Sequence, residues 1–191
     1  VLVHDSSQVA FTLHPAQKHP DNPVVQVDRP WEGWRLSAYG NVLFDEEEGV
    51  FKMWYMGHSP EYFEFPQVTK GGVSGGWRQD PRGRTPHITM YAVSQDGVNW
   101  EKPLVGTIPA LKGERFGHNA VAQVMNASVI KDTADPDPGR RYKMICWVVA
   151  PQAIRGYHTF VSSDGLRWTK HSVEPIAPAG ENPAISRRTR R

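Results

Sequence analysis

The chain contains a single cysteine, Cys146, among its 191 residues. An internal disulfide is therefore excluded, and no paired-cysteine redox or zinc motif is present. No apolar run approaches the 18 residues that a membrane-spanning helix needs, so we expect no membrane partner. Cys146 itself lies in an apolar stretch, which predicts a small core residue in a strand.

An excess of positive charge is also missing. The chain has 22 basic and 20 acidic residues, and four of the basic ones are the terminal arginines Arg187, Arg188, Arg190 and Arg191. Without those four, the count is 18 against 20 and the net charge is −2. The body of the protein therefore lacks the basic surface of a nucleic-acid-binding domain, and we predict no nucleic-acid partner.

Motifs that hold a cofactor or a metal ion are absent from the sequence as well. It has no glycine-rich phosphate loop and no Gly-x-Ser-x-Gly nucleophile elbow. Its histidines and acids do not follow the spacing of a metal site, so we predict no cofactor and no metal. No segment sustains an apolar period of 3.6 residues, which predicts almost no helix.

The chain does contain a pattern that occurs twice. Residues 94–102 (SQDGVNWEK) return as residues 162–170 (SSDGLRWTK). Each copy follows a β-prone stretch of similar sequence, FKMWY at 51–55 and YKMICW at 142–147. The order is the same both times, so the repeated unit is a small sheet, which predicts a propeller-like array.

We predict one domain over residues 1–191. Unit one spans about 34–102 and unit two about 120–170, each with four strands, and residues 176–191 would be the truncated start of a third unit. Unit one is the longer of the two. Met53 and Asp96 are 43 residues apart, whereas the equivalent Met144 and Asp164 are 20 residues apart. The excess of 23 residues falls within 58–87, which is rich in glycine and predicts an inserted loop that projects from its sheet.

The two Asp-Gly steps predict tight turns, because glycine tolerates positive φ and aspartate bonds the backbone ahead of it. In both copies we expect the serine and the aspartate to bond backbone groups of their own turn. Trp100 and Trp168 hold the same place in the repeat, so we predict that both are buried between neighbouring sheets.

These motifs resemble the five-bladed β-propeller glycoside hydrolase superfamily, which includes invertase-like, arabinanase-like and mannoside-phosphorylase-like enzymes. Sialidase propellers are a weaker match, because their repeat has one more residue between the aspartate and the glycine. Besides the repeated pieces, the resemblance is carried by residues 22–25 (NPVV), 28–33 (DRPWEG), 40–45 (GNVLFD), 51–57 (FKMWYMG) and 91–100 (YAVSQDGVNW).

The resemblance implies an all-β fold, a partial five-bladed propeller with about two complete four-stranded blades and flanking edges. Two units cannot close a ring, so we expect the missing C-terminal blades of the same protein as partners. The resemblance also implies a carbohydrate ligand that the protein hydrolyses or binds. The alternative is a propeller that binds carbohydrate, or acts as a scaffold, without catalysis.

The enzymes of this superfamily use three carboxylates near the starts of inner strands, because glycoside hydrolysis needs a proton donor and a base or nucleophile. The matching stretches of this chain, 37–41 (SAYGN) and 123–127 (QVMNA), contain no acid. Only Glu181, where a third blade would begin, is near an expected place. This departure favours the non-catalytic alternative.

Two segments precede the inner strands and are predicted to lie at the central pocket. In the first segment, Asp28 and Glu32 are catalytic candidates together with Glu181, and Arg29 and Trp31 are candidates for binding the hydroxyls and the ring of a sugar. In the second, the substrate-binding candidates are His118 and Asn119.

Overall fold

The computed structural model of the chain describes residues 10–63, 65–69, 72–77, 87–148, 156–171 and 174–178. Its regular secondary structure is almost all β-strand, with two single-turn 3₁₀ helices at Pro30–Glu32 and Pro138–Arg140. None of its helices has the length and apolarity that a bilayer crossing requires. In chain order, the strands are β1 (Leu36–Ser37), β2 (Val42–Asp45), β3 (Val50–Gly57), β4 (Phe65–Thr69), β5 (Gly72–Trp77), β6 (Ile88–Ser94), β7 (Trp100–Glu101), β8 (Ala120–Ala122), β9 (Met125–Lys131), β10 (Tyr142–Val148), β11 (Gly156–Ser162), β12 (Thr169–Lys170) and β13 (Ala177–Pro178).

The first sheet is antiparallel and is built around β3 and β6, which pair from Phe51 opposite Ser94 to Gly57 opposite Ile88. β1 and β2 both pair with the other edge of β3, and β7 and β8 both pair with the outer edge of β6. The hairpin between β2 and β3 closes at Gly49, whose φ of 67° suits glycine.

The second sheet has the same plan. β9, β10, β11 and β12 lie side by side, and β13 pairs with β11 as β8 pairs with β6. Two details differ from the predicted unit limits. Ala120–Ala122 pairs with the first sheet although the sequence analysis assigned it to unit two, and Ala177–Pro178 pairs with the second sheet although it was assigned to a third unit. Each sheet therefore includes a short strand that follows its Asp-Gly turn in the sequence.

The insertion in unit one has two parts. β4 and β5 pair with each other as a separate two-stranded sheet, which agrees with a loop that projects from its blade. The start of the segment does not project. Ser59 and Phe63 are buried, and Phe63 packs against Tyr55 and Met90 of the first sheet. The predicted projection of 58–87 from the sheet therefore does not hold for the first residues of the segment, because Phe63 packs onto a face of the sheet.

The core lies in two layers, one on each face of the first sheet. Between the two sheets, Trp54 packs against Tyr142 and Trp168, and its indole N–H donates to the carbonyl of Gly165 at 2.8 Å. On the opposite face, the buried side chains are covered by half-buried residues of the loops, including Trp31. Strand β3 is therefore enclosed on both faces.

The repeated tryptophans are not fully buried as predicted. Trp100 and Trp168 are each half-buried. Trp168 packs against the core layer between the two sheets, whereas Trp100 packs against the layer on the opposite face of the first sheet. Both lie at the outer edge of a sheet, where β7 and β12 are only two residues long. An edge position leaves part of a large indole in contact with solvent.

The two Asp-Gly turns carry the same hydrogen bonds, which confirms the interpretation made from the sequence. Ser94 Oγ donates to Asp96 at 3.0 Å and accepts from the amide of Gly97 at 2.8 Å, and Ser162 and its turn repeat these contacts at 2.9 Å each. The carboxylate of each aspartate accepts the two amides that follow the glycine, at 2.7–2.8 Å. The repeated sequence therefore forms the same hydrogen-bonded turn in both sheets.

Candidate functional site

The carboxylate of Glu32 is enclosed within the protein. It belongs to the 3₁₀ turn Pro30–Glu32, and none of its surface is exposed. One oxygen accepts the Tyr55 hydroxyl at 2.7 Å and lies 2.6 Å from Lys102 Nζ. The other accepts the backbone amides of Asp28 and Arg29, both at 2.9 Å. With four donors around it, this carboxylate has no free face for a substrate.

Asn119 connects this carboxylate to the next segment of the chain. Its amide group donates to the Tyr55 hydroxyl and to the carbonyl of Tyr91, both at 2.7 Å, and its oxygen accepts the indole N–H of Trp31 at 2.8 Å. Burial, with Glu32 close by, raises the pKa of Tyr55 far above its usual range although the Asn119 bond opposes the shift. Tyr55 therefore stays a neutral donor to Glu32.

Asp28 and Arg29 form the accessible rim of the same network. Asp28 accepts a hydrogen bond from Lys102 at 2.7 Å, and the Arg29 guanidinium lies 3.8 Å from it. Burial raises the pKa of the Asp28 carboxyl, but the hydrogen bond and charge of Lys102 outweigh it, and the net shift is downward. Asp28 is therefore ionised at neutral pH, which suits a hydrogen-bond acceptor and not a proton donor.

His118 is buried beside this network, with its ring 6.5 Å from that of Trp31. Its Nδ1 accepts the amide of Ala120 at 3.1 Å, so Nε2 carries the proton and donates to the carbonyl of Arg115 at 3.1 Å. Burial lowers the pKa of His118, which keeps the ring neutral. A Cβ on Gly106 would lie 2.4 Å from this ring, so the histidine is held in a close-fitting slot.

The structure therefore brings together six of the seven predicted site residues. Five of them share one hydrogen-bonded network, and His118 packs against it. Glu181 lies outside the described residues. The catalytic and binding roles assigned to these residues stay predictions, and burial leaves only the rim of the network open to a ligand. The six are Asp28, Arg29, Trp31, Glu32, His118 and Asn119.

A second group of side chains, at the ends of β1 and β3, was not identified from the sequence. Trp34 is 67% exposed, and its ring lies 5.6 Å from that of the buried His58. Gly33 makes this approach possible. A Cβ there would lie 1.8 Å from the carbonyl oxygen of His58, and its φ is 78°. An exposed indole on a fixed backbone is a surface for ring stacking.

Further polar side chains are related to His58 by the pairing of the strands. Ser37 pairs with Met56, which places its side chain on the same face as His58 two residues along. Met56 in turn pairs with Thr89, whose hydroxyl donates to the carbonyl of Val124 at 3.0 Å. Asn126 follows two residues later, at the start of β9.

Three atoms in this region are buried and, within the described residues, have no hydrogen-bond partner: Ser37 Oγ, His58 Nε2 and Asn126 Oδ1. Such an atom costs roughly 1–3 kcal/mol when it stays unpaired. Asn126 also has a φ of 54°, which is unusual for a residue other than glycine. We call Trp34, Ser37, His58 and Asn126 the strand-end cluster.

The strand-end cluster is electrically neutral. Burial lowers the pKa of His58, and the positive charge of Arg35 lowers it further, so the imidazole is uncharged at neutral pH. Ser37 and Asn126 carry no acid, so the expectation of carboxylates at strand starts does not select them. Among the described residues, no three His, Cys, Asp or Glu side chains are placed to hold a metal ion.

No family model matches the chain, and no curated protein matches it significantly. Solved structures that align with part of the chain include an N-acetylgalactosamine deacetylase from F. plautii in complex with blood group B trisaccharide, with 18% identity, a TM-score of 0.41 and 73% of this chain covered. A fructofuranosidase variant from Schwanniomyces occidentalis, complexed with fructosylnystose, shows 14% identity and a TM-score of 0.41 over 73% of this chain. The chain spans only 30% and 24% of these two proteins, and neither assigns it a function.

Proposed function

We propose that the protein binds a neutral carbohydrate at the strand-end cluster. The observation that carries the proposal is the exposed indole of Trp34 beside the buried His58, whose Nε2 has no partner among the described residues. A sugar ring presents apolar C–H groups on one face and hydroxyls around its edge. In this proposal, Trp34 offers a stacking surface for that face, and His58, whose ring lies 5.6 Å from the indole, offers a nitrogen that bonds a hydroxyl.

The hydrogen-bonded network around Glu32 holds the backbone next to this site in place. The carbonyl of Glu32 accepts the amide of His58 at 3.0 Å, and Gly33 forms a bridge with His58. The side chain of Glu32 is fixed by Tyr55 and Lys102, so the turn that ends at Trp34 has little freedom to move. In this proposal, Glu32 is a positioning residue for Trp34, and a site held this way loses less entropy on binding.

Binding without hydrolysis fits the described residues better than catalysis. Glycoside hydrolysis needs one protonated and one ionised carboxyl group on either side of the bond. The strand-end cluster contains no carboxylate, Glu32 is enclosed by its donors, and the pKa of Asp28 is lowered. Catalytic roles for Asp28, Glu32 and Glu181 remain a prediction, which an assay of the chain with a panel of glycosides tests directly.

The experiment is a calorimetric titration of the 191-residue chain with neutral and uronic oligosaccharides. We expect binding of a neutral oligosaccharide, weakened about two- to twelvefold by Trp34→Ala because an aromatic contact contributes about 0.5–1.5 kcal/mol. Phe116→Ala, at an exposed aromatic residue on another loop, is the matched control and should bind like the parent. Equal affinity of the parent and Trp34→Ala, or a preference for uronic sugars, would contradict the proposal.

A further inference from the structure

The two Asp-Gly turns and the strands beside them can be matched residue by residue. Phe51 pairs with Ser94 in the first sheet, and Tyr142 pairs with Ser162 in the second. Because both serines open the same turn, Phe51 and Tyr142 are equivalent positions. Counting from this origin makes three further pairs equivalent: Trp54 with Ile145, Asp96 with Asp164, and Asn99 with Arg167.

An open cavity of about 270 Å³ lies beside the first of these turns, and its lining includes Asp96, Asn99, Trp100 and Glu101. Sites for drug-sized molecules have roughly 300–1,000 Å³, so this cavity suits a group about as large as one side chain. The indole N–H of Trp100 donates to the carbonyl of Gly97 at 3.0 Å, which fixes the ring beside the cavity.

The cavity carries negative charge. Hydrogen bonds from the backbone and side-chain amides of Asn99 and from the amide of Val98 hold the pKa of the Asp96 carboxyl well below its usual range, so it is ionised at neutral pH. Glu101 adds a second carboxylate, which is exposed and forms no ion pair among the described residues. None of the described residues that line the cavity is a lysine, an arginine or a histidine.

The Asp96 carboxylate still has room for a donor. Its Oδ1 accepts the Ser94 hydroxyl and the backbone amides of Val98 and Asn99. Within the described residues, its Oδ2 accepts only the side-chain amide of Asn99, at 2.7 Å. A carboxylate oxygen can accept two hydrogen bonds, so Oδ2 can bind one more.

The second turn shows which group completes such a carboxylate. Asp164 Oδ2 accepts the guanidinium of Arg167 at 3.0 Å, where Asp96 Oδ2 accepts the neutral amide of Asn99. The second turn therefore receives its positive charge from within the chain, and the first turn does not.

We infer that the cavity beside the first turn binds a guanidinium group of another molecule, in the place that Arg167 takes at the second turn. A guanidinium presents a planar fork of N–H donors to carboxylates and stacks flat on an indole. In this arrangement, Asp96 Oδ2 and the Glu101 carboxylate accept the donors, and Trp100 contacts the plane of the group. The occupant is a small guanidinium compound or an arginine side chain of a partner polypeptide.

This site is separate from the strand-end cluster. Ser94 pairs with Phe51 near the start of β3, whereas His58 directly follows the end of the same strand. Seven residues of extended chain place the two regions roughly 20 Å apart. Binding of a guanidinium and binding of a sugar can therefore fail independently of each other.

The test is an NMR titration of the isotope-labelled 191-residue chain, followed through the indole N–H signal of Trp100. The probes are agmatine, a small guanidinium compound, and a blocked Gly-Arg-Gly tripeptide. The matched control is the same tripeptide with citrulline, which has the shape of arginine without its charge. We expect a Kd on the order of 1 mM for the guanidinium probes, and binding weaker by about fivefold or more for the citrulline peptide. Tighter binding of the tripeptide than of agmatine would assign the group to a polypeptide, and the reverse order would assign it to a small molecule.

Two variants test the residues of the cavity. Glu101→Gln removes one exposed carboxylate and should weaken binding about two- to fivefold. Asn99→Arg supplies a guanidinium from within the chain, as the second turn does, and should weaken binding about fivefold or more because the cavity is then occupied. Glu114→Gln, at an exposed acid that does not line the cavity, is the control and should bind like the parent.

Equal binding of the arginine and citrulline peptides would overturn the inference. So would saturation by agmatine without a change in the Trp100 signal, since the cation would then bind elsewhere. Parent-like affinity in both Glu101→Gln and Asn99→Arg would overturn it as well. The other signals in the spectrum show that each variant is folded, so a loss of binding is not mistaken for a loss of structure.

Discussion

The two sheets share their strand order, pairing and turns, yet their central strands are buried in different ways. From Lys52 to Gly57, every residue of β3 is buried, whereas residues in β10 alternate between buried and more exposed positions. The alternation in β10 is the pattern of a sheet packed on one face, and continuous burial is that of a sheet packed on both. The repeat therefore specifies each sheet, while the neighbours of the sheet determine which of its faces become core.

The largest difference between the sheets should appear at the equivalent positions Trp54 and Ile145. Trp54→Ala removes a large side chain from between the sheets and should lower the free energy of unfolding by about 3–5 kcal/mol. Ile145→Ala acts on a half-open face and should cost less than about 1.5 kcal/mol. Urea unfolding of the 191-residue chain measures both, and equal costs would show that the second face is covered in solution.

Replacing the aspartate that pairs with a lysine should also cost more stability in the first sheet, at Asp45, than in the second, at Asp132. Asp45→Ala removes the buried carboxylate that Lys52 and Lys131 share and leaves each lysine with one exposed partner, Glu48 or Glu47, so it should destabilise the chain by roughly 3 kcal/mol. Asp132→Ala breaks a partly exposed pair with Lys143 and should cost about 1 kcal/mol or less. Thermal unfolding of the two variants is the measurement, and a larger effect at Asp132 would contradict this account of the two aspartates.

Acid should weaken the contact between the sheets through Asp45. Burial raises the pKa of this carboxyl, but hydrogen bonds from Lys131, Lys52 and Tyr142 lower it by a larger amount. The pKa of Asp45 therefore lies well below its usual range. A carboxyl whose pKa is lower in the folded state than in the unfolded state stabilises the fold at pH values above its unfolded pKa of about 4. This stabilisation is lost progressively as the pH falls below that value. The Tm of the parent should therefore fall below pH 4 more steeply than that of Asp45→Asn. Parallel profiles would exclude Asp45 as a source of the acid sensitivity.

The smallest effect should come from the turns, where the two sheets are alike. Ser94→Ala and Ser162→Ala each remove a hydroxyl that accepts two backbone amides, and each should cost about 1 kcal/mol. Both variants are measured by urea unfolding against the parent. Costs that differ by more than the experimental error would show that the two turns are not equivalent.

The candidate site was only partly accessible from the sequence. The repeat placed Asp28 and Asn119 near the starts of equivalent strands, and the structure joins their segments through Glu32 and Tyr55. Lys102 was missed, because the repeat assigns it to the end of a turn motif and gives no sign that its side chain reaches Glu32. Contacts between residues more than 60 apart depend on how segments cross, which a local pattern does not encode.

The sequence by itself determined the features that depend on neighbours along the chain. Ser-x-Asp-Gly specifies each turn because all of its donors and acceptors lie within a few residues, and β-prone runs bounded by turn residues specify the strands of the second sheet. Tertiary structure alone decided that Phe63 enters the core, that Glu32 is enclosed, and that Trp34 remains open. The physical reason is that burial depends on which distant segment covers a surface, and that segment is chosen by packing and not by local propensity.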